Sequence, residues 1–256
     1  LLPTYDVFDE QRYFSPAKEQ YTVMVHDTPI GITICEDIWN DMSVSGDRFM
    51  ENRRYSVDPV QNLLDSGVEY IVNISASPYV MGKNTMKWSR ISKLAGLSGV
   101  PVVYVNQVGG NDSLVFDGNS FIVNGKGEFS AMASGFEEEL LVVDLESKNL
   151  IPFPLEGDME DIRKALVLGM RDYVRKCGFS QVVIGLSGGI DSALTATLAA
   201  EALGPENVMG ITMPSKYSSK GSVDHSFMLG KNLGISVESV PIKKMYDLFL
   251  EELAPL

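Results

Sequence analysis

Two cysteines in 256 residues, Cys35 and Cys177, are too few for a disulfide framework and lack the paired spacing of a zinc site. Histidine is equally scarce. His26 and His225 stand far apart, without the neighbouring cysteines and carboxylates that a transition-metal centre needs, so both read as surface or packing residues. No uninterrupted apolar run reaches the roughly 18 residues of a bilayer-spanning helix, so no membrane partner is expected. Positive charge is short as well: 21 Lys and Arg against 34 Asp and Glu leave a net charge of -13. That balance repels phosphate backbones and anionic lipid, so nucleic acid is not an expected general partner, and only a local basic groove would escape the argument. The opening stretch LLPTYDVFDEQRYF has no basic leader, apolar signal core or small-residue cleavage site, and the expected location is the cytoplasm.

What is present suits globular α/β structure. With 45% hydrophobic and 21% charged residues, the chain can fill one large or two ordinary domains. Short Val- and Ile-rich runs predict strands at residues 21–27, 29–35, 70–75, 101–107, 120–124 and 140–145. Hairpin turns are expected at Asp117-Gly118 and Asn124-Gly125, and a helix capped by Asn84 is expected to run to about Gly99. The stretch from Glu146 to Asp158 holds two prolines and little periodicity, which places a domain boundary there: 1–148, a linker at 149–157, and 158–256. Asp158 then opens a predicted helix with Ile162, Leu166, Met170, Tyr173 and Cys177 on its apolar stripe, ended by Gly178. From Ser180 strands and helices alternate, with helices expected from Ser192, Lys220 and about Ile242. This implies a parallel sheet covered on both faces, with ligands beyond the carboxyl ends of its strands.

One of those strand ends carries the stretch Gly185, Leu186, Ser187, Gly188, Gly189, Ile190, Asp191, Ser192. Glycines let backbone amides approach a ligand closely, and the unpaired N–H groups of the helix start add partial positive charge, so an oxyanion is the expected occupant. Ser187 and Ser192 can donate further hydrogen bonds. Asp191 would repel a bare phosphate, which makes sense with Mg²⁺ lying between the two. A Gly-rich connection whose serine merely caps the helix is the alternative. Neither G-x-x-x-x-G-K-S/T nor G-x-G-x-x-G occurs at a strand–helix junction.

SGGIDS after an apolar strand resembles the pyrophosphate-binding loop of the N-type ATP pyrophosphatases. The resemblance implies ATP as co-substrate, cleaved between its α and β phosphates to adenylate a substrate, with Gly185 to Ser192 binding ATP and Asp191 holding the metal. MPSKYSS, Met213 to Ser219, resembles the NAD synthetase version of the next strand end, which lies against adenosine; an ordinary Pro/Ser turn is the other reading.

In GITICEDIWN, Cys35 closes a strand immediately before an acidic pair. Such a cysteine can expose its thiol at the sheet edge while the following amide faces an oxyanion, or it can be a buried packing residue. LLPTYDVFDEQRYF, ICEDIW, VNISASPYVMGK and VYVNQVGGNDSLVFDGNSF together resemble the nitrilase-superfamily amidase domain of the glutamine-dependent NAD synthetase family. The resemblance implies Cys35 as nucleophile, Glu10 as a supporting glutamate, and Tyr5, Glu36, Ser77 and Lys83 lining a glutamine pocket. It places the catalytic lysine and base glutamate upstream of Leu1, and further synthetase structure beyond Leu256, so the chain is expected to be an internal segment.

The implied fold is α/β: a partial nitrilase-like αββα sandwich followed by part of a doubly wound parallel-sheet domain. The implied partners are glutamine, ATP, deamido-NAD and further copies of the chain in a homo-oligomer. Two other readings stay open: an amidohydrolase with a degenerate nucleotide module, and a non-catalytic nucleotide sensor.

Overall fold

The computed structural model describes residues 1–3, 9–20, 22–39, 57–155, 157 and 159–254. They form two units: Leu1–Gly109 with Phe116–Asp158, and Gly110–Val115 with Met159–Leu256.

The first unit is built on a six-stranded sheet. Its elements are β1 (Thr22–Val25), β2 (Thr28–Ile34), α1 (Pro59–Asp65), β3 (Tyr70–Ser75), α2 (Lys83–Ser98), β4 (Val102–Asn106), the outer ends of the hairpin β5 (Val108–Asn111) and β6 (Leu114–Asp117), whose tip Gly110–Val115 belongs to the second unit, β7 (Phe121–Val123) and β8 (Phe129–Met132). The sheet order is β1-β2-β3-β4-β7-β8, with β2, β3 and β4 parallel and the outer pairings antiparallel. Helix α1 starts where the sequence provides a cap: Asp58 accepts from the amides of Val60 (3.0 Å) and Gln61 (3.1 Å), and Pro59 occupies the first turn. Trp88, Ile91 and Ala95 of α2 pack with Ile71, Val102, Tyr104, Phe121 and Val123 of the sheet into one core. Burying each aliphatic or aromatic side chain contributes about 1.5–3 kcal/mol.

The covered face is more polar than the strand patterns suggest. Thr33, Asn73, Ser75 and Asn106 are buried, whereas Ile32, Ile34, Ile74 and Val105, which alternate with them, are exposed among the described residues. The predicted strand at 140–145 does not form. Leu140, Leu141, Val143 and Leu145 instead line a cavity of about 660 Å³ with Val72, Val103 and Ile122. Leu140 and Val142 are largely exposed, so an apolar run here does not by itself make a strand.

Helix α2 is capped by Gly82 in the left-handed region (φ 85°), not by Asn84, which lies inside the first turn with its side chain buried. After β7 the side chain of Asn124 accepts from the amides of Lys126 and Glu128, and Gly127 (φ 78°) takes the positive φ that the sequence pattern assigned to Gly125.

The second unit contains α3 (Met159–Lys176), β9 (Val182–Gly185), α4 (Ile190–Leu203), β10 (Val208–Thr212), α5 (Lys220–Leu233), β11 (Ser236–Ser239) and α6 (Lys243–Leu253). Its sheet is parallel throughout, in the order β11-β10-β9. Leu186, Ala196, Ala199, Val208 and Ile235 form its core. The other face carries Val183, which is 64% exposed, so among the described residues the sheet is covered on one side and not on both as expected.

Helix α3 buries Ala165, Leu168 and Val174, while Leu166, Tyr173 and Cys177 of the predicted stripe are exposed. Cys177 is therefore a surface thiol and not a packing residue. The stripe is offset because two partners share the helix: Met170 packs on the α4 core, and the hairpin tip Gly110–Val115 seats at Gly169. There the Asp172 carboxylate accepts from the Gly110 amide (2.7 Å) and Lys176 donates to the Gly110 carbonyl. A Cβ on Gly110 would sit 3.0 Å from the Cα of Gly169, so a side chain there would press on the backbone of α3.

Candidate functional site

In the first unit the chemistry gathers at the carboxyl ends of the three parallel strands. Strand β2 ends at Ile34, and Cys35 begins a short 3-10 turn with φ of 42°, a conformation that costs a residue bearing a Cβ about 1–2 kcal/mol. Buried polar side chains hold it there. Ser75 Oγ donates to Asn73 Oδ1 (2.6 Å), and Asn73 Nδ2 donates to Thr33 Oγ1 (2.9 Å) and to the Cys35 carbonyl (3.4 Å).

Burial pushes the Cys35 thiol above its ordinary value and the Glu36 carboxylate pushes the same way, while the Ala76 backbone, the Ser75 hydroxyl and the Lys83 ammonium pull it down. The thiol is thus neutral at pH 7, and attack requires a base to take its proton.

Glu36 and Ser77 are buried beside this elbow. The Ser77 amide donates to Asn106 Oδ1 (2.9 Å), which fixes the loop after β3. Lys83 opens α2 and donates to the Pro78 carbonyl (3.2 Å). The structure therefore brings together Cys35, Glu36, Ser77 and Lys83. Glu10 lies in a 3-10 turn of its own, Glu10–Arg12, where its Oε2 is buried without a hydrogen-bond partner among the described residues. Tyr5 lies outside the described residues.

Four neighbours escaped the sequence reading: Asn73, Tyr104, Asn106 and Asp117. Asn73 and Asn106 were detectable, because each sits in phase with the buried positions of an otherwise apolar strand (Ile71 and Ser75; Val102 and Tyr104). Tyr104 is fully buried, its hydroxyl without a geometric hydrogen-bond partner among the described residues, and Lys87, also buried, places its ammonium 5.2 Å from the ring centroid.

In the second unit β9 runs into Leu186, whose side chain is spent in the core and whose amide donates to the Ile211 carbonyl (2.8 Å). The loop then reaches solvent. Gly188 has φ of 80° and Gly189 caps α4 in an extended conformation without a capping side chain, so the first amides of α4 face outward with the positive end of the helix dipole. The helix starts at Ile190, two residues earlier than the sequence reading placed it, and this puts Asp191 in its first turn.

Ser187 and Ser192 tie the loop to itself. The Ser187 amide donates to Ser192 Oγ (3.2 Å), the two hydroxyls lie 3.1 Å apart, and the Gly189 amide donates to Ser187 Oγ (3.2 Å). Asp191 and Ile190 are exposed, and Met213, half exposed at the end of β10, would touch a Cβ on Gly185 at 3.5 Å. The loop and Met213 thus share one strand-end surface. After Met213, Lys216 places its ammonium over the rings of Tyr217 (5.1 Å) and Tyr246 (4.8 Å), a cluster that depends on α6. A cavity of about 190 Å³ beside the loop is lined by Gly188, Gly189, Ser192, His225 and Asn232.

The described residues contain no group of three or more His, Cys, Asp or Glu able to hold a metal ion. A lone exposed carboxylate fits a Mg²⁺ ion that takes its other ligands from phosphate oxygens and water. Among the described residues no helix is long and apolar enough to cross a membrane.

Comparison with known proteins agrees with this layout. The carbon-nitrogen hydrolase family matches residues 47–154, and the NAD synthase family matches residues 162–255. A glutamine-dependent NAD(+) synthetase of Synechocystis sp. is 47% identical over 100% of this chain and 46% of its own length. One from Thermotoga maritima is 41% identical over 98% of this chain and 48% of its own length. The solved structure of glutamine-dependent NAD+ synthetase from Acinetobacter baumannii, in complex with adenosine diphosphate, is 35% identical. It superposes with a TM-score of 0.87, covering 100% of this chain and 46% of that one. The chain spans about half the length of the curated relatives it matches. Cys35 lies before the segment matched by the hydrolase family and inside the full-chain alignments.

Proposed function

Since this chain belongs to the glutamine-dependent NAD(+) synthetase family, we propose that the protein makes NAD from deamido-NAD, with ATP as the activating co-substrate and glutamine as the amide donor. The observation that carries the reading is the order of two devices in one chain: a cysteine held at a strained strand end, followed by a self-tied anion-binding loop at a helix start.

In the first unit Cys35 Sγ attacks the glutamine side-chain carbonyl, its proton passing to a general base. Ammonia leaves from the tetrahedral intermediate, and water then hydrolyses the thioester to glutamate. Glu36, Ser77 and Lys83 hold the amino acid, with Tyr5 and Glu10 completing the pocket. In the second unit the loop from Gly185 to Ser192 receives the leaving pyrophosphate when the deamido-NAD carboxylate attacks the α phosphate, and ammonia then displaces AMP. Mg²⁺, held by Asp191, would neutralise phosphate charge and raise the leaving ability of pyrophosphate. Met213 lies against the adenosine. We place the unit boundary within residues 149–157, the protein in the cytoplasm, and its working form as a homo-oligomer without nucleic-acid or membrane partners.

The test is NAD formation by the full-length protein, with glutamine or ammonium as nitrogen source, followed by enzymatic reduction of the product to NADH. Cys35→Ala should abolish glutamine-supported synthesis and spare ammonium-supported synthesis. Asp191→Ala should depress both by on the order of a hundredfold or more. If neither nitrogen source yields NAD, the reading fails in favour of an amidohydrolase with a degenerate nucleotide module; if Asp191→Ala is fully active, the metal-holding role given to that carboxylate fails.

A further inference from the structure

Asp117 is 1% exposed, yet it makes no ion pair among the described residues. Its charge is met by three side-chain amides. Oδ2 accepts from Asn84 Nδ2 (2.7 Å) and from Asn119 Nδ2 (2.7 Å), and Oδ1 accepts from Asn106 Nδ2 (3.3 Å). Burying a carboxylate on amide dipoles alone is expensive compared with an apolar side chain, so its worth has to lie in what it orients.

Two of the three amides lead directly to the candidate glutamine pocket. Asn106 Nδ2 faces Asp117 Oδ1 and the Gly118 carbonyl (3.1 Å), while its Oδ1 accepts from the Ser77 amide. A flipped amide would set oxygen against both acceptors and nitrogen against the Ser77 N–H. Asp117, together with the Gly118 and Ser77 carbonyls that also accept from Nδ2, therefore sets which way Asn106 faces, and Asn106 in turn holds the Ser77 backbone. Asn84 stands next to Lys83 in the first turn of α2, so the same carboxylate anchors the end of the helix from which Lys83 extends. Asp117 is itself held by the main chain, its carbonyl accepting from the Phe136 amide (2.8 Å).

We infer that Asp117 is a positioning residue for glutamine binding, which sets Ser77 through Asn106 and Lys83 through Asn84 without reaching the substrate. The inference rests on the glutamine-hydrolysing reading above and assigns a role to a residue outside the nucleophile, its acidic neighbour and the pocket lining.

The test uses the full-length protein and measures glutaminase KM and kcat alongside ammonium-supported NAD synthesis. Asp117→Asn should raise the KM for glutamine on the order of tenfold, with kcat changed less than KM. Ammonium-supported synthesis should stay at the parent level, which controls for folding. The exchange Asp117→Asn with Asn106→Asp keeps the total charge and recreates one amide–carboxylate hydrogen bond in the opposite sense, and it should recover a substantial part of the lost affinity. An unchanged KM in Asp117→Asn, an equal loss of ammonium-supported synthesis, or an exchange variant no better than the single one would each overturn the inference. A parent protein that makes NAD from ammonium but never hydrolyses glutamine would instead refute the functional reading beneath it.

Discussion

Adjacent glycines in the anion-binding loop should respond very differently to the same methyl group. In Gly188→Ala the backbone stays at φ of 80°, where a residue with a Cβ pays about 1–2 kcal/mol. The new Cβ also falls 2.4 Å from the Ser222 carbonyl oxygen and 2.6 Å from the Ser222 Cα, main-chain atoms of the first turn of α5 that no rotamer change can remove. Accommodating such an overlap adds about 1–3 kcal/mol, so the combined cost is about 2–5 kcal/mol. In Gly189→Ala the backbone is extended (φ -94°, ψ 168°) and the Cβ meets only the Ser187 hydroxyl at 3.3 Å, a group that can rotate away. That change should cost below about 1 kcal/mol.

Because about 1.4 kcal/mol corresponds to tenfold in an equilibrium constant, Gly188→Ala should lose about 30-fold or more in ATP affinity, or the equivalent in stability of the second unit. Titration calorimetry with ATP and magnesium, paired with thermal melts of both variants, reads the difference. Equal ATP affinity and equal melting temperature for the two alanine variants would refute the argument that α5 sets the shape of this loop.

Two further outcomes follow from burial. Burial pushes the Tyr104 hydroxyl far above its usual value, against the opposing pull of the Ser75 and Ser77 hydroxyls. The unfolded chain loses this proton near about pH 10 while the folded chain keeps it. The folded state therefore binds the proton more tightly, and its stability is complete below about pH 10 and falls as pH rises beyond that. Tyr104→Phe should flatten the alkaline limb of a plot of melting temperature against pH; an unaltered alkaline slope counts against it. Cys177 is exposed, so maleimide should label it to one equivalent in the native protein and leave NAD formation intact. Labelling that requires denaturant would show the thiol to be covered.

Local pattern carried a large part of the architecture. The strand–loop–helix at residues 182–203, the parallel alternation after it, and a cysteine at the end of an apolar strand can all be read from runs of a few residues, because periodicity and glycine placement act over that distance. The same local signals misplaced 140–145, Asn84 and Cys177. An apolar run does not say whether a partner strand lies alongside, a polar residue near a helix start can turn inward to a buried carboxylate, and the buried side of α3 is set by what packs on it.

Only the tertiary structure supplied the left-handed backbone of Cys35, the polar chain from Ser75 to Thr33 beneath it, and the meeting of Asn84, Asn106 and Asp117. Only the fold, again, seats Gly110 on Asp172, 62 residues further along the chain. The physical reason is common to these cases. Which elements form depends on near-neighbour sterics and hydrophobic period, whereas a buried polar group takes whichever partners folding brings within hydrogen-bonding reach, and in this chain most of those partners lie a dozen or more residues away.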